Sequence, residues 1–272
     1  MTVRVSTEPE GGLAMGRGPT VAVSDDAVLA RILAEAAGAI LLGVRRTGTG
    51  LDPATLRDAG DAAAQHLLAE RLAALRPDDA VLSEEAVDDR RRLGAERVWI
   101  IDPLDGTREF AEGRSDWAVH VALWERGDLV AGAVALPALG LVLTTEPAPA
   151  VPAFGGGRPR LAISRSRPPA SAAALAERLG WELVPMGSAG YKTAAVVRGE
   201  ADAYVHAGGQ YEWDSAAPAA VALAAGLHAS RLDGSPLRYN QPDVLLPDLV
   251  ICRPELAEPV LATMSRLTRE DG

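Results

Sequence analysis

The chain has 272 residues, and 48% of them are apolar, which is enough to bury one large hydrophobic core or two smaller ones. Its net charge of −10 argues against a nucleic-acid polymer as partner, because a surface that binds a phosphate backbone needs clustered Lys and Arg. The single cysteine, Cys252, cannot form an internal disulfide, and no uninterrupted apolar run approaches the roughly 20 residues of a membrane-spanning helix, so we expect a soluble cytoplasmic protein without a membrane partner.

The chain begins with a segment of little pattern and continues with two predicted helices. Residues 1–20 mix Gly with polar residues without periodicity, which predicts a flexible N-terminal tail. The apolar residues after Ser24 recur at helical spacing and predict a long first helix. A loop is predicted over residues 47–61, and a second helix over residues 62–75 that stops before Pro77.

Strands are predicted in the next part of the chain. AVLSEE, residues 80–85, and RVWIID, residues 97–102, each look like an apolar strand that ends in acidic residues. The β-rich pattern over residues 118–146 is broken at turn residues, which predicts an antiparallel meander.

A Pro- and Gly-rich segment, residues 147–159, predicts a boundary between two halves. The N-terminal half, residues 21–150, is expected to be α+β and to carry most of the candidate metal ligands. In the C-terminal half, residues 151–272, strands and helices alternate, which predicts an α/β unit.

Acidic residues lie at the ends of several predicted elements. Asp102 and Asp105 fall in the segment VWIIDPLDGTREF, Glu84 ends another predicted strand, and Asp214 begins a predicted helix. Clustered carboxylates repel one another unless a cation neutralises them, and Mg²⁺ prefers carboxylate, carbonyl and water oxygens. If these acids converge, they form a magnesium site suited to phosphate chemistry.

Each of these motifs also has an ordinary structural interpretation. Asp-Pro and Asp-Gly pairs are common in turns, so DPLDG alone could form a loop. The SEE segment, residues 83–85, could be a solvated acidic turn. Asp214 could favour the first turn of its helix through the helix dipole.

Taken in order, the motifs SEE, DPLDGT and WDSAA resemble those of the inositol monophosphatase superfamily, a group of Mg²⁺-dependent, lithium-sensitive phosphatases. GDAAAQ at residues 60–65 and RLDGSPLRYN at residues 231–240 extend the resemblance over most of the chain. The continuation DGTREF, residues 105–110, looks like the CysQ-type branch, the 3′(2′),5′-bisphosphate nucleotidases, whereas inositol phosphatases usually have Thr-Asn-Phe there.

The resemblance implies an α/β fold of the layered αβαβα sandwich type, and often a homodimer. It implies two or three Mg²⁺ ions, with Mn²⁺ as a substitute and with Ca²⁺ and Li⁺ as inhibitors. The implied metal ligands are the side chains of Glu84, Asp102, Asp105 and Asp214 and the backbone carbonyl of Leu104.

The same resemblance implies that Asp61 and Thr107, together with Glu84, act on a metal-bound water. A hydroxyl bound to a carboxylate can orient and help deprotonate such a water. No Cys, His or Ser in the matching motifs is placed as a covalent nucleophile, so we expect direct in-line attack by water. The phosphate is expected on the backbone N–H groups of Gly106 and Thr107 at the start of a helix.

The residues expected to contact the substrate further are Ser188, Lys192, His206 and Asp214. Lys192 is the only lysine among 27 basic residues, which is either chance or a need for a compact ammonium that holds a second phosphate. His206 stands where inositol phosphatases have Glu and CysQ-type enzymes commonly have Arg. It either contacts an anion or a base, or forms a hydrogen bond at a strand end. The basic segment SRSR, residues 164–167, is either a phosphate contact or solvated.

The sequence leaves three functional hypotheses open. The first is a phosphomonoesterase that removes the 3′-phosphate of 3′-phosphoadenosine 5′-phosphate (PAP) or of its sulfated relative PAPS, which clears a by-product of sulfate assimilation. The second keeps the chemistry but takes inositol phosphate or fructose 1,6-bisphosphate. The third is a non-catalytic, metal-dependent module that binds a phosphorylated ligand, which the presence of Asp61 and Thr107 disfavours.

Overall fold

The computed structural model describes residues 25–270, so the tail predicted over residues 1–20 and the start of the predicted N-terminal half lie outside the described residues. Within residues 25–270 the fold contains two five-stranded sheets and seven α-helices. Three hydrophobic clusters join these elements into five layers, in the order helix, sheet, helix, sheet, helix. The predicted αβαβα sandwich is confirmed.

The first sheet has the strand order β1-β2-β3-β4-β5. β1 and β2 are parallel, and each later pair of neighbours is antiparallel. The last three strands form the antiparallel meander that the sequence predicts. The strands are β1 Ala80–Ser83, β2 Arg97–Asp105, β3 Ala118–Glu125, β4 Asp128–Leu136 and β5 Leu141–Thr144.

Two long helices, α1 Asp25–Thr47 and α2 Pro53–Leu75, cover the outer face of this sheet. Their apolar stripes pack on Trp99 and Ile101 of β2 and on alternate residues of β3 and β4. α1 is the one helix within residues 25–270 whose length and composition would allow it to cross a membrane. Because its apolar stripe is part of the core of the fold, this is weak evidence for a membrane span.

The prediction of a loop over residues 47–61 was wrong for most of its length, because α2 already begins at Pro53. The Asp52 side chain accepts hydrogen bonds from the backbone N–H groups of Ala54 and Thr55, and proline is favoured at the first helical position. These start signals outweighed the Gly-rich composition of the segment. The helix ends at Leu75, before Pro77, as predicted.

The second sheet has the strand order β7-β6-β8-β10-β9. Helices α4 and α7 pack on its outer face, while α5 and α6 lie between the two sheets. The short helix α3, Thr107–Ala111, directly follows β2. The remaining elements are β6 Arg160–Ser164, α4 Ala170–Leu179, β7 Glu182–Met186, α5 Ala189–Val197, β8 Ala203–Tyr211, α6 Glu212–Ala224, β9 His228–Ser230, β10 Leu245–Cys252 and α7 Pro254–Glu270.

Candidate active site

A β-bulge in β2 brings the two acids of the DPLDG motif onto one face of the sheet. Asp102 pairs with His120 of β3, whereas Asp105 pairs with Ala118, so β2 contains one residue more than β3 in this interval. In a regular strand, side chains three residues apart point to opposite faces. The extra residue cancels that alternation. Carboxylate oxygens of Asp102, Asp105 and Asp214 consequently lie within 4.8 Å of one another.

Each of these three carboxylates accepts its hydrogen bonds through only one of its two oxygens within residues 25–270. Asp105 Oδ2 accepts from the hydroxyl of Ser188 at 2.5 Å and from the backbone N–H of Gly190 at 2.7 Å. Asp102 Oδ1 accepts from the N–H of Leu104 at 3.0 Å, and its buried Oδ2 has no hydrogen-bond partner within residues 25–270. Asp214 Oδ2 accepts from the N–H of Tyr211 at 2.6 Å at the start of α6. The second oxygen of each acid is thus left for another ligand.

Repulsion among these acids changes their pKa values. Burial, followed by the charges of Asp214 and Asp105, raises the pKa of Glu84 to about 7. Burial and the charge of Glu84 raise the pKa of Asp102 well above its ordinary value. Burial and the charge of Asp105 raise the pKa of Asp214 to about 6. A cation among the four would remove this penalty on the ionised forms.

The residues present fit a hard divalent cation. Carboxylate oxygens are the ligands that Mg²⁺ prefers, and the unpartnered, buried Oδ2 of Asp102 is an acceptor without a donor. Glu84 directly follows β1, and its N–H lies 3.4 Å from the carbonyl of Ile101, next to Asp102. Leu104 lines the same cavity as the acids. Ligation by its carbonyl stays a prediction.

His120 is a residue of this site that the sequence interpretation missed. Its side chain is fully buried, with Nε2 3.2 Å from Asp105 Oδ2 and Nδ1 3.0 Å from the carbonyl of Trp213. Burial alone would lower the pKa of His120, but the contact with Asp105 more than offsets it and raises this pKa. The same contact helps to keep the pKa of Asp105 below its ordinary value despite burial. Only the strand register could have revealed this histidine, because it lies opposite Asp102 in β3.

The residues expected to hold the phosphate line the same cavity. Gly106 has a φ of +90°, which favours glycine, and α3 begins at Thr107 as predicted. A Cβ at position 106 would lie 3.1 Å from Cβ of Ser188, so the loop approaches α5 closely. Ser188 itself has a φ of +52° and caps α5 by accepting from the N–H of Tyr191.

Asp61 lies on α2, outside the lining of this cavity. Burial and the charges of Glu85 and Asp58 raise its pKa to about 7. α2 comes close to the motif because residue 60 is glycine: a Cβ there would lie 3.0 Å from the ring of Phe110. Within residues 25–270 no hydrogen bond joins Thr107 to Asp61, so their joint action on a water stays a prediction.

Lys192 lines the cavity, but its ammonium group is nearly buried. Its Nζ donates to the carbonyl of Ser188 at 2.6 Å and lies 5.1 Å from the ring centre of Tyr204. Burial lowers its pKa. These contacts fix the lysine beneath the first turn of α5.

Both ring nitrogens of His206 have partners within the protein. Nε2 lies 2.9 Å from the carbonyl of Gly209, and Nδ1 lies 3.2 Å from the hydroxyl of Tyr204. A carbonyl only accepts, so Nε2 carries the proton. Burial lowers the pKa of His206. The ring therefore supports the glycine turn of β8 that lines the cavity, and only its face is available to a ligand.

The cavity has a volume of about 490 Å³ and also contains cations that lack acidic partners. Arg108 and Arg167 are exposed at its edge, and neither forms an ion pair within residues 25–270. Arg165, near Arg167 in sequence, contacts Glu109 and Glu112. The acidic end of the cavity suits a cation with a phosphate, and the basic edge suits a second anion.

The first turn of α6, which carries Asp214, is anchored by a buried carboxylate. Glu212 accepts from the backbone N–H groups of Asn240 and Gln241 at 2.6 and 2.7 Å. Asn240 in turn accepts from the buried guanidinium of Arg92 at 2.8 Å. The end of the RLDGSPLRYN motif thus contributes to the site by fixing the position of α6.

A layered α/β fold whose acids converge in one cavity defines a hydrolase of the metal-dependent phosphatase class. The chain belongs to the inositol monophosphatase family, whose family model matches residues 20–150 and 158–269. The predicted family and its CysQ-type branch are confirmed by the curated relatives as well.

A protein of Mycobacterium leprae (strain TN) named 3′-phosphoadenosine 5′-phosphate phosphatase is 55% identical over 255 residues, which cover 89% of this chain and 93% of that protein. The 3′(2′),5′-bisphosphate nucleotidase CysQ of Escherichia coli (strain K12) is 32% identical over 193 residues, covering 67% of this chain and 78% of that protein. The crystal structure of CysQ from Bacteroides thetaiotaomicron superposes with a TM-score of 0.71 at 26% identity, covering 84% of this chain and 97% of that one.

Proposed function

We propose that this protein is a Mg²⁺-dependent phosphatase that removes the 3′-phosphate from PAP or PAPS. The observation that carries the proposal is the convergence of Asp102, Asp105 and Asp214 within 4.8 Å in a cavity that Arg108 and Arg167 also line. A 55% identical relative named for PAP supports the choice of substrate. The role in sulfate assimilation, the cytoplasmic location and the homodimer are parts of this proposal.

The acids would hold the cation. Glu84, Asp102, Asp105 and Asp214, with the carbonyl of Leu104, supply oxygen ligands, and two or three Mg²⁺ ions are proposed. A bound divalent cation polarises phosphoryl oxygens, stabilises the leaving oxygen and lowers the pKa of bound water. Mn²⁺ is proposed as a substitute, and Ca²⁺ and Li⁺ as inhibitors.

The remaining chemistry belongs to groups around the phosphate. We propose that the N–H groups of Gly106 and Thr107 bind phosphate oxygens, and that the Thr107 hydroxyl, Asp61 and Glu84 orient the attacking water and take up its proton. The pKa of Asp61, about 7, suits a proton acceptor near neutral pH. The Ser188 hydroxyl donates to Asp105 and its oxygen accepts from the N–H of Tyr191, so both contacts hold it as the cap of α5, which supports direct attack by water.

The substrate's second anionic group would lie at the basic edge of the cavity. Arg108 and Arg167 are the exposed cations there, and Lys192 contributes positive potential from beneath. Because both nitrogens of His206 are engaged, we propose that His206 contacts the nucleoside through its ring face. A polyol such as inositol offers this edge neither a second phosphate nor a flat base.

The test is phosphate release from PAP, PAPS, 3′-AMP, inositol 1-phosphate and fructose 1,6-bisphosphate by the full chain in Mg²⁺. We expect the highest kcat/KM for PAP or PAPS. A higher kcat/KM for inositol phosphate or fructose bisphosphate would overturn the substrate assignment. Tight binding of PAP without phosphate release would instead favour the non-catalytic module.

A further inference from the structure

His120 contacts two elements that carry candidate metal ligands. Its side chain has no exposed area, and the ring lies between β2 and the start of α6. Nε2 is 3.2 Å from Oδ2 of Asp105, while Nδ1 is 3.0 Å from the carbonyl of Trp213, the residue before Asp214. The ring therefore bridges Asp105 on β2 and the main chain next to Asp214 on α6.

The orientation of this ring is fixed. The Trp213 carbonyl can only accept a hydrogen bond, so Nδ1 must carry a hydrogen and donate it. With Nδ1 engaged in this way, Nε2 faces Asp105 at 3.2 Å, which is ion-pair distance without a hydrogen bond. A histidine held in this way by a main-chain carbonyl resembles the outer partners that orient metal-binding side chains in other proteins.

A third element encloses the ring. A Cβ on Gly190 in the first turn of α5 would lie only 2.0 Å from His120 Nε2, so glycine there leaves the space that the imidazole fills. The N–H of Gly190 donates to the same oxygen of Asp105 that His120 contacts. Asp105 Oδ2 is thus fixed by two donors from the start of α5, the ring from β3 lies against it at 3.2 Å, and its other oxygen is left for a ligand.

We propose that His120 is a positioning residue for the cation site. It sets the distance between Asp105 on β2 and Asp214 on α6, and so tunes the affinity of the site for a divalent cation. The inference rests on the proposed function in that it takes these acids as the cation ligands. It does not require PAP to be the substrate, and it gives His120 no contact with the reacting atoms.

The experiment is Mg²⁺ binding to the substrate-free full chain, measured by titration calorimetry in wild type and in His120→Leu and His120→Asn. Leucine fills a similar volume but removes the contacts with Asp105 and with the Trp213 carbonyl, whereas asparagine retains a hydrogen-bond donor on a shorter side chain. We expect the dissociation constant for Mg²⁺ to rise about 10–100-fold in H120L, and to be partly restored in H120N. In phosphatase assays, saturating Mg²⁺ should recover much of the kcat of H120L.

Val134→Ala is the matched control. Val134 pairs with His120 across β3 and β4 and is equally buried, but it belongs to the apolar cluster between the sheets. V134A should lower the melting temperature and leave Mg²⁺ affinity unchanged. If H120L binds Mg²⁺ as wild type does, or if V134A weakens binding as much as either His120 variant, the positioning role is wrong while the proposed function stands. If wild type binds no Mg²⁺, the proposed cation site itself is refuted.

Discussion

Arg165 reaches across the edge of the cavity to Glu109, with its Nη2 2.8 Å from Oε1 of that nearly buried carboxylate. Glu109 belongs to α3, which follows β2 of the first sheet, and Arg165 directly follows β6 of the second sheet. The contact therefore joins the DGTREF segment to the loop that carries Arg167. It gives a physical reason why a glutamate follows the DGTR sequence: it anchors one wall of the cavity.

The first prediction concerns this contact. Glu109→Gln keeps the shape of the side chain and removes its charge, so the loop after β6 should lose its anchor. We expect KM for PAP to rise several-fold with a smaller change in kcat, measured by phosphate release. Glu112→Gln is the control, because Glu112 also contacts Arg165 but is largely exposed, and exposed ion pairs contribute little. Equal effects of the two substitutions would contradict the anchoring role of Glu109.

Arg167 should select substrates that carry a second phosphate. A hydrogen bond to a charged group contributes about 1.5–3 kcal/mol, which corresponds to roughly a 10–100-fold loss when it is removed. Arg167→Ala should therefore lower kcat/KM for PAP by about that factor and leave 3′-AMP, which lacks the 5′-phosphate, nearly unchanged.

Arg71→Ala is a matched substitution on α2, because Arg71 is exposed and does not line the cavity. This substitution should leave kcat/KM unchanged for both PAP and 3′-AMP. A uniform loss on PAP and 3′-AMP in R167A would show that Arg167 acts only through the general potential of the cavity.

Asp102→Asn tests the cation site. Its buried Oδ2 accepts no hydrogen bond within residues 25–270 and lies 3.9 Å from His120 Nδ1, which already donates to the Trp213 carbonyl, so a bound cation is the group that needs the charge. We expect phosphate release to fall by on the order of a thousandfold, since the loss of cation binding removes several kcal/mol of transition-state stabilisation. Without Mg²⁺ the melting temperature of D102N should equal or exceed that of wild type, because the substitution removes a charge that the neighbouring acids repel.

The same variant should lose the stabilisation that wild type gains on addition of Mg²⁺, measured as the shift of its melting temperature. Lithium inhibition of wild type gives an independent check on the family's chemistry. Normal turnover in D102N would refute the assignment of Asp102 as a ligand.

The stability of the metal-free protein should fall as pH rises from about 5 to 8. Asp61 and Glu84 have folded-state pKa values of about 7, above their ordinary values of 3.8 and 4.5. In this window the folded state retains protons that the unfolded state has released, and stability falls with pH wherever the folded state binds more protons. Changes of opposite sign come from Asp105, whose pKa is lowered, at more acidic pH, and from His206 and His228, whose pKa values burial lowers, below about pH 6.5.

Melting temperatures in a chelator, compared with those in Mg²⁺, check this prediction. The cation replaces the proton on Glu84, so the fall with pH should be shallower in Mg²⁺. Asp61→Asn should make the fall of the melting temperature with pH shallower, both in the chelator and in Mg²⁺. Stability that rises over this range in the chelator would contradict the proposed repulsion.

Much of this site could be predicted from sequence because its candidate metal ligands lie in short, ordered motifs. Asp102 and Asp105 belong to one short motif at the end of β2, and Asp214 lies in the first turn of α6, so local patterns locate all three. His120 and the Glu109–Arg165 contact could not be found in this way. Each depends on strand register or on packing between the halves, which no local pattern encodes. The start of α2 was missed for another reason: the signals at Asp52 and Pro53 were present, but the prediction gave more weight to the nearby glycines.

Two helical glycines should respond to alanine in opposite directions. Gly190→Ala places a Cβ 2.0 Å from His120 Nε2, so the ring or the first turn of α5 must move, and overpacking of this kind costs about 1–3 kcal/mol. Gly43→Ala lies within α1 with no atom within 4 Å of the added Cβ, and should stabilise by about 0.5–1 kcal/mol through helix propensity. Urea unfolding in chelator measures both changes. Because α5 also donates to Asp105, G190A should weaken Mg²⁺ binding and G43A should not. A G190A protein as stable as wild type would mean that the imidazole does not occupy the space beside Gly190.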